Sequence, residues 1–132
     1  MLFLFKMIQQ RTILKVSDNS GAKTVRCIKV LGGFKKKYAK LGDTIIVSVQ
    51  QLRNKSKKTS KVKKGEVYRA LIIRTKVHHI KQDGSQICFN ENAVTLINKQ
   101  ETPISTRIIG PIPKIFKKKK SQKFISISAG SV

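Results

Sequence analysis

Apolar and polar residues alternate along several segments of the chain with the two-residue period of a β-strand. The clearest example is 44–50, where Ile45, Val47 and Val49 share one face while Ser48 and Gln50 share the other. An apolar face opposite a polar one is typical of a strand that packs one side against a core. The pattern therefore predicts a half-buried strand here.

The same alternation, in places weaker, predicts four more strands: 12–16, 24–31, 67–80 and 93–98. In 67–80, Leu71, Ile73 and Val77 share one face. Within 24–31, Arg26 and Lys29 lie an odd number of residues apart, so the alternation slips. A slip of this kind predicts a β-bulge.

Turn sequences separate the predicted strands. Asp83-Gly84 between two apolar runs is the strongest hairpin signal, and 19–21, 32–33, 42–43 and Gly65 are further turn candidates. Short strands at regular spacing, without a helical period between them, indicate an all-β fold and a small barrel. From residue 102 three prolines predict a loop, then one or two short helical turns, with 124–127 packing back on the barrel.

Length and composition indicate one domain. A chain of 132 residues supports one modest core, and no segment approaches the roughly 20 apolar residues of a membrane-spanning helix. Cys27 and Cys88 are expected to be two buried thiols rather than a disulfide. His78 and His79 are the other soft ligand candidates, and they do not complete a metal motif.

The net charge is the strongest functional indication. Twenty-nine Lys and Arg oppose six acids, for a formal charge of +23, and the cations concentrate in 35–40, 53–64 and 114–123. Such an excess destabilises a compact domain unless a polyanion neutralises it, and nucleic acid is the polyanion that binds clustered cations with release of counterions. Lys outnumbers Arg, which favours contacts to backbone and shape over contacts to base edges. RNA fits this description.

Aromatic residues are interleaved with the basic segments, namely Phe34, Tyr38, Phe116 and Phe124. They are able to stack on unpaired bases, although packing is the more common role of such residues. The six carboxylates are scattered, and Asp18, Asp43 and Asp83 adjoin turns, where Asp bonds its own backbone. We therefore expect no catalytic site and no cofactor.

An ordered set of motifs resembles one known family. The matching pieces are Met7-Ile-Gln, Asp18-Asn-Ser-Gly-Ala22, Cys27-Ile-Lys-Val-Leu-Gly-Gly33, Val62-Lys-Lys-Gly65, Arg74-Thr-Lys76, Asp83-Gly84, Asn98 and Thr106-Arg-Ile-x-Gly-Pro111. Together they resemble the universal large-subunit ribosomal protein number fourteen, of the bacterial and organellar type. The resemblance runs from Met7 to the end of the chain.

The resemblance implies a five-stranded β-barrel with a projecting hairpin and a C-terminal loop with short helices. Residues 1–6 would be an N-terminal extension, and 7–132 one domain with the barrel at about 7–100 and the tail at about 101–132. It also implies a non-enzymatic protein that binds large-subunit rRNA. Further implied partners are small-subunit rRNA at an intersubunit bridge, neighbouring large-subunit proteins and a factor that blocks subunit joining.

The residues expected to contact rRNA come from the basic clusters and the matched motifs. They are Lys23, Lys35, Lys36, Lys37, Lys40, Arg53, Lys55, Lys57, Lys58, Lys61, Lys63, Lys64, Arg74, Lys76, Lys117, Lys118, Lys119 and Lys120. The resemblance assigns Thr106, Arg107 and Lys123 to the subunit interface and to the surface used by the blocking factor. No membrane and no small-molecule substrate is expected.

Three departures from the family pattern are informative. The loop 53–61 is longer and richer in lysine than the bacterial form, and Thr95 replaces an apolar strand residue. The preference for Lys, Ile and Asn is typical of an AT-rich coding sequence, so we expect an organelle-encoded protein of the mitochondrial matrix, with plastid or bacterial cytoplasm as alternatives.

The alternative function is a free-standing basic regulator that binds RNA or DNA. It requires a defined base preference and activity outside any particle. The excess of Lys over Arg and the lack of a recognition-helix pattern disfavour it.

Overall fold

The computed structural model describes residues 8–33, 37–53, 61–76, 79–80, 83–112 and 122–131. Nine strands and one helix lie in these ranges: β1 (Ile13–Val16), β2 (Ala22–Val30), β3 (Thr44–Leu52), β4 (Val67–Arg74), β5 (His79–Ile80), β6 (Gln86–Ile87), β7 (Ala93–Ile97), β8 (Ile108–Ile112), α1 (Gln122–Ile127) and β9 (Ser128–Ser131).

Five strands close into a barrel in the order β1, β2, β3, β4, β7. Neighbours are antiparallel except β1 and β7, which pair in parallel and close the ring. Closure gives every barrel strand two partners and leaves the barrel itself without a free sheet edge. The predicted all-β fold with a five-stranded barrel is confirmed.

The barrel interior is filled by the apolar faces of the strands. Ile45, Val47 and Val49 of β3 are each at most 1% exposed, as the alternation in 44–50 predicts. Val94 and Leu96 of β7 join the same core. The predicted bulge in β2 is also confirmed, because the pairing of β2 with β3 shifts register between Cys27 and Lys29.

Strand β4 departs from its prediction in two ways. It ends at Arg74 instead of running to residue 80, and both of its faces are buried between Ala70 and Ile73. Ala70 and Ile72 face the barrel core, whereas Leu71 and Ile73 belong to a second core outside the barrel. Alternation along one strand does not reveal what covers the outward face, so this second core was not predicted.

The C-terminal tail covers that outward face. Phe124 of α1 is 3% exposed and packs in the second core with Ile108 and Ile112 of β8, which confirms the predicted packing of the tail. The prediction of a loop with helical turns was wrong about 108–112 and 128–131, which form the parallel pair β8–β9. Gly110 and Pro111 concealed β8, since both residues are disfavoured in strand interiors.

The predicted hairpin at Asp83-Gly84 is confirmed, because β5 pairs with β6 on either side of it. Gly84 has a φ of +88°, which favours glycine, and Asp83 Oδ1 accepts bonds from the backbone N–H and the hydroxyl of Ser85. Val77 and His78 lie outside the described residues.

The pairing of the strands shows at which of the two ends of the barrel each connection lies. The turn end carries the 17–21 turn, the 53–66 connection and the segment 98–107. The hairpin end carries the 31–43 connection and residues 75–92. The described residues of the basic clusters 35–40 and 53–64 therefore lie at opposite ends of one barrel.

The two cysteines differ in their surroundings. Cys27 points into the core, where burial raises its pKa to about 11. The expectation of two buried thiols was wrong for Cys88, which is exposed near the hairpin and donates to the Lys76 carbonyl at 3.2 Å. Both thiols are free.

A buried carboxylate ties the 17–21 turn to β7. Asp18 is 0% exposed, and its Oδ1 accepts from the Ser20 backbone N–H (3.1 Å) and hydroxyl (2.5 Å). Its Oδ2 accepts from the Thr95 hydroxyl (3.1 Å) and the Leu96 N–H (3.0 Å). Thr95, noted above as a departure from the family pattern, thus supplies one of the four donors that make burial of this charge tolerable.

Replacing Asp18 with Asn should destabilise the protein by about 2–4 kcal/mol, because an NH2 group would face a donor that has nowhere else to bond. Urea unfolding measures the change. Asp83→Asn is the matched control, since Asp83 makes the same Ser contacts in an exposed turn, and it should cost less than about 0.5 kcal/mol. Equal effects of the two variants would contradict the role assigned to burial.

Candidate nucleic-acid interface

The 17–21 turn fixes both described ends of the segment 53–61, which we call the basic loop. The Arg53 backbone N–H donates to the Gly21 carbonyl at 2.9 Å, and the Lys61 N–H donates to the Ser20 carbonyl at 2.9 Å. The side chains add two longer contacts, from Arg53 Nη2 to the Val16 carbonyl (3.3 Å) and from Lys61 Nζ to the Ile104 carbonyl (3.4 Å). The loop therefore leaves and re-enters the barrel at one turn.

The same turn holds the segment with Thr106 and Arg107 through Asn19. The Asn19 side-chain oxygen accepts from the backbone N–H of Thr106 (3.0 Å) and of Arg107 (3.1 Å), and its NH2 donates to the Thr106 hydroxyl (2.7 Å). The Asn19 N–H donates to the Arg107 carbonyl at 3.2 Å. Asn19 thus satisfies the backbone of an exposed two-residue segment and leaves the Arg107 guanidinium facing outward.

Asn19 was not predicted as a site residue, although it stands inside the matched motif 18–22. A turn Asn most often bonds its own backbone, and nothing in the sequence shows a contact 87 residues away. The signal that was available is its position next to Asp18. Its neighbour is turned inward, so Asn19 is free to point outward.

The predicted rRNA-contacting residues fall into two described groups. Those at the turn end are Lys23, Arg53, Lys61, Lys63 and Lys64, of which Arg53 alone is half-buried. Those at the hairpin end are Lys37, Lys40 and Lys76, all exposed. The Lys40 backbone is held by Asp43, whose Oδ2 accepts its N–H at 2.8 Å.

Other predicted residues fall outside the described ranges, namely Lys35, Lys36, Lys55, Lys57, Lys58, Lys117, Lys118, Lys119 and Lys120, and so do Phe34 and Phe116. Lys123 lies in α1. Of the four aromatics interleaved with the basic segments, two are described: Phe124 is a packing residue in the second core, and Tyr38 is half-buried.

Arg74 differs from the other predicted contacts because its side chain is only 11% exposed. Its Nη2 donates to the Ser17 hydroxyl and to the Ile109 carbonyl (3.2 Å), and its Nη1 lies 3.4 Å from Glu91 Oε1. Burial lowers the pKa of Arg74, and the Glu91 carboxylate partly opposes that shift. These contacts place Arg74 as a positioning residue that ties β4 to β8, rather than as an open phosphate ligand.

Gly110 makes room for this guanidinium. A Cβ at Gly110 would overlap Arg74 Nη1, and the φ of Gly110 is +89°. Together with the Ile109 N–H, which donates to the Ser17 carbonyl at 2.6 Å, the contact anchors the chain just beyond Arg107. The segment 106–107 is thus held from both sides.

Two of the described acids near the strands are paired with neighbouring side chains. Within the described ranges, no group of three or more His, Cys, Asp or Glu is placed to hold a metal ion. Glu91 pairs with Lys15 (3.2 Å) and Arg74, while Glu66 accepts from the Tyr68 hydroxyl. Burial raises the pKa of Tyr68, and its hydrogen bond to Glu66 adds a smaller increase.

None of the described helices is long and apolar enough to cross a bilayer.

Comparison with known families decides the class of this protein. The model of the family described as Ribosomal protein L14p/L23e matches residues 7–132. The chain belongs to this ribosomal protein family. The resemblance found in the motifs is confirmed, and the chain is a large-subunit ribosomal protein. The family is a structural, non-enzymatic class, and it implies rRNA and ribosomal proteins as partners.

Gly110→Ala should cost more stability than Gly84→Ala. Both glycines have φ near +90°, so each variant incurs about 1–2 kcal/mol of backbone strain, but nothing lies within 4 Å of a Cβ at Gly84. At Gly110 the methyl also displaces the Arg74 guanidinium, which adds about 1–3 kcal/mol. Urea unfolding of both variants measures the difference.

A double-mutant cycle isolates the contact. In an Arg74→Gln background, Gly110→Ala should lower the free energy of unfolding only as much as Gly84→Ala does, because the clashing guanidinium is absent. An unchanged cost in the Arg74→Gln background would mean that strain alone explains the effect of Gly110→Ala.

Proposed function

We propose that this protein binds large-subunit rRNA through the turn end of its barrel and contributes Thr106 and Arg107 to the interface with the small subunit. One observation carries the proposal: the 17–21 turn holds the base of the basic loop and the 106–107 segment at the same end of the barrel. An RNA-bound loop and a subunit-facing segment on one turn fix the distance between the two partners.

The exposed lysines support the proposed binding of large-subunit rRNA. Lys63 and Lys64 are exposed beside the loop, and the loop residues Lys55, Lys57 and Lys58 add three further cations in the sequence. Loop lysines on a closed barrel follow an irregular phosphate path without disturbing the core. Lys37, Lys40 and Lys76 at the hairpin end and the lysines at 117–120 would serve a second stretch of rRNA.

The exposure of Arg107 supports the proposed interface with the small subunit. Its backbone is fixed by Asn19 and its side chain is solvent-exposed, as a bridge to small-subunit rRNA requires. Lys123 would extend this surface from α1. A factor that prevents subunit joining would use the same surface, because covering it excludes the small subunit.

The setting is also part of the proposal. Residues 7–132 would form the ribosomal domain, with 1–6 as an extension, a division supported by the start of the family match at residue 7. The Lys-, Ile- and Asn-rich composition supports an organelle-encoded protein of the mitochondrial large subunit.

Two variants separate the two halves of the proposal. Lys63→Ala with Lys64→Ala should weaken incorporation into large subunits and lower the slope of log affinity against log salt by about 2, one for each lost phosphate contact. Arg107→Glu should incorporate normally but weaken subunit joining about tenfold or more, since it places a carboxylate against phosphate. Binding titrations and gradient sedimentation measure the two quantities.

Lys99→Glu is the matched control for Arg107. It makes the same charge change in an exposed turn of the same 98–107 segment, and it should leave joining near the wild-type level. Normal joining with Arg107→Glu would remove Arg107 from the interface. An unchanged salt slope in the lysine variant would remove these two lysines from the rRNA contact.

A further inference from the structure

The outward face of strands β1 to β4 carries charges that belong to none of the basic loops. We call this face the outer wall and define it by Ile13, Arg26, Ile28, Lys29, Val67 and Arg69, all of which are exposed. The tail covers the outward side of β4 only from Leu71 onward, together with β7. The wall is therefore a separate surface of the barrel.

Strand pairing arranges the wall in rows. Ile13 pairs with Arg26, Arg26 with Ser48 and Ser48 with Val67, so one row crosses four strands and spans roughly 14 Å. The next row runs from Lys29 through Ile46 to Arg69. Two arginines thus stand on either side of β3, about 12 Å apart, with apolar side chains around them.

The charge of the wall has one sign. Strands β1 to β4, all of whose residues are described, contain no Asp or Glu. A face that only meets water typically mixes both signs, because acids and bases both keep it soluble and neighbouring opposite charges relieve repulsion. Arg26, Lys29 and Arg69 therefore stand on this face without an acid in its strands, and a polyanion would neutralise them.

The wall also concentrates exposed apolar surface. Four large apolar side chains are exposed in the described part of the chain, and three of them lie on the wall: Ile13 (59%), Val67 (58%) and Ile28 (40%). Aliphatic side chains exposed beside arginines indicate a contact surface that combines apolar packing with positive charge.

We propose that the outer wall docks against the minor groove of an rRNA duplex, an inference that rests on the proposed function. The minor groove of A-form RNA is wide and shallow. The convex wall of the barrel is therefore able to contact it without a protruding helix or loop. Arg26 and Arg69 contact phosphates on the two sides of the groove. Ile13 next to Arg26 and Val67 next to Arg69 lie on the adjoining ribose surface.

Charge favours RNA over a protein partner at this surface. The cores of protein–protein interfaces are depleted of charge, whereas nucleic-acid interfaces are strongly cationic. On the wall the cations stand inside the apolar patch, since Arg26 occupies the row between Ile13 and Val67. A protein partner would have to bury Arg26 opposite an acid of its own.

Site-specific photo-crosslinking inside the assembled large subunit tests the proposal. Ile13→Cys in a Cys88→Ser background places one reactive thiol on the wall, because Cys27 is buried with its pKa raised to about 11. Lys63→Cys in the same background gives the reference position at the basic loop. Each thiol is coupled to a benzophenone maleimide, and the adducts are analysed with RNase and by primer extension.

The expected result is an RNase-sensitive adduct from both positions, with the Ile13→Cys adduct mapping to a base-paired segment. An adduct to RNA from Lys63→Cys alone would overturn the wall proposal and leave the proposed function standing. A protein adduct from Ile13→Cys, or an RNA adduct in an unpaired loop, would also overturn it. RNA adducts from neither position would contradict both proposals.

Two double variants give an independent readout by salt titration of rRNA binding. Arg26→Gln with Arg69→Gln should lower the salt slope by about 2. Ile13→Ser with Val67→Ser changes no charge, so it should weaken binding about tenfold while the slope stays the same. If both pairs leave affinity and slope at wild-type values, the wall does not contact RNA.

Discussion

The buried Asp18 carboxylate is the interaction on which the functional end of this protein depends. Its two oxygens accept four hydrogen bonds, from Ser20 on its own turn and from Thr95 and Leu96 on β7. A buried charge is tolerable only when it is bonded in this way. The requirement fixes the conformation of the 17–21 turn against the barrel, and it turns the neighbouring Asn19 toward the 106–107 segment.

Because the barrel is rigid, the fixed 17–21 turn holds the segments bonded to it at defined positions. The turn receives the base of the basic loop on one side and the Arg107 segment on the other, while Arg74 and Gly110 secure the chain beyond it. The family assigns the protein to the large ribosomal subunit. In our account, the fold serves to hold cations at defined places for phosphates that neutralise them, on its loops and along the outer wall.

The sequence predicted correctly those elements that a single local pattern marks. Alternation located β3 and β7, a phase slip located the bulge in β2, and Asp83-Gly84 located the hairpin. Features that depend on two distant segments did not follow. The second core needs α1 to cover Leu71 and Ile73, and β8 was hidden by Gly110 and Pro111.

The candidate site divides in the same way. Exposed lysines could be named from composition, because a cation cluster needs no partner in the chain to be recognised. Asn19 was missed because its contacts lie 87 and 88 residues away. Arg74 was grouped with the phosphate contacts because sequence does not show that Ser17, Glu91 and Ile109 surround it. Packing between remote segments decides these roles.

Native-state hydrogen exchange of the wild-type protein measures whether the 17–21 turn couples the base of the basic loop to the 106–107 segment. The amides of Arg53, Lys61 and Arg107 all bond to the 17–21 turn, so they should share one opening free energy and one denaturant dependence. The Phe89 amide near the hairpin should open independently of them. If Arg107 exchanges with a free energy of its own while Arg53 and Lys61 open together, the turn does not couple the two halves of the site.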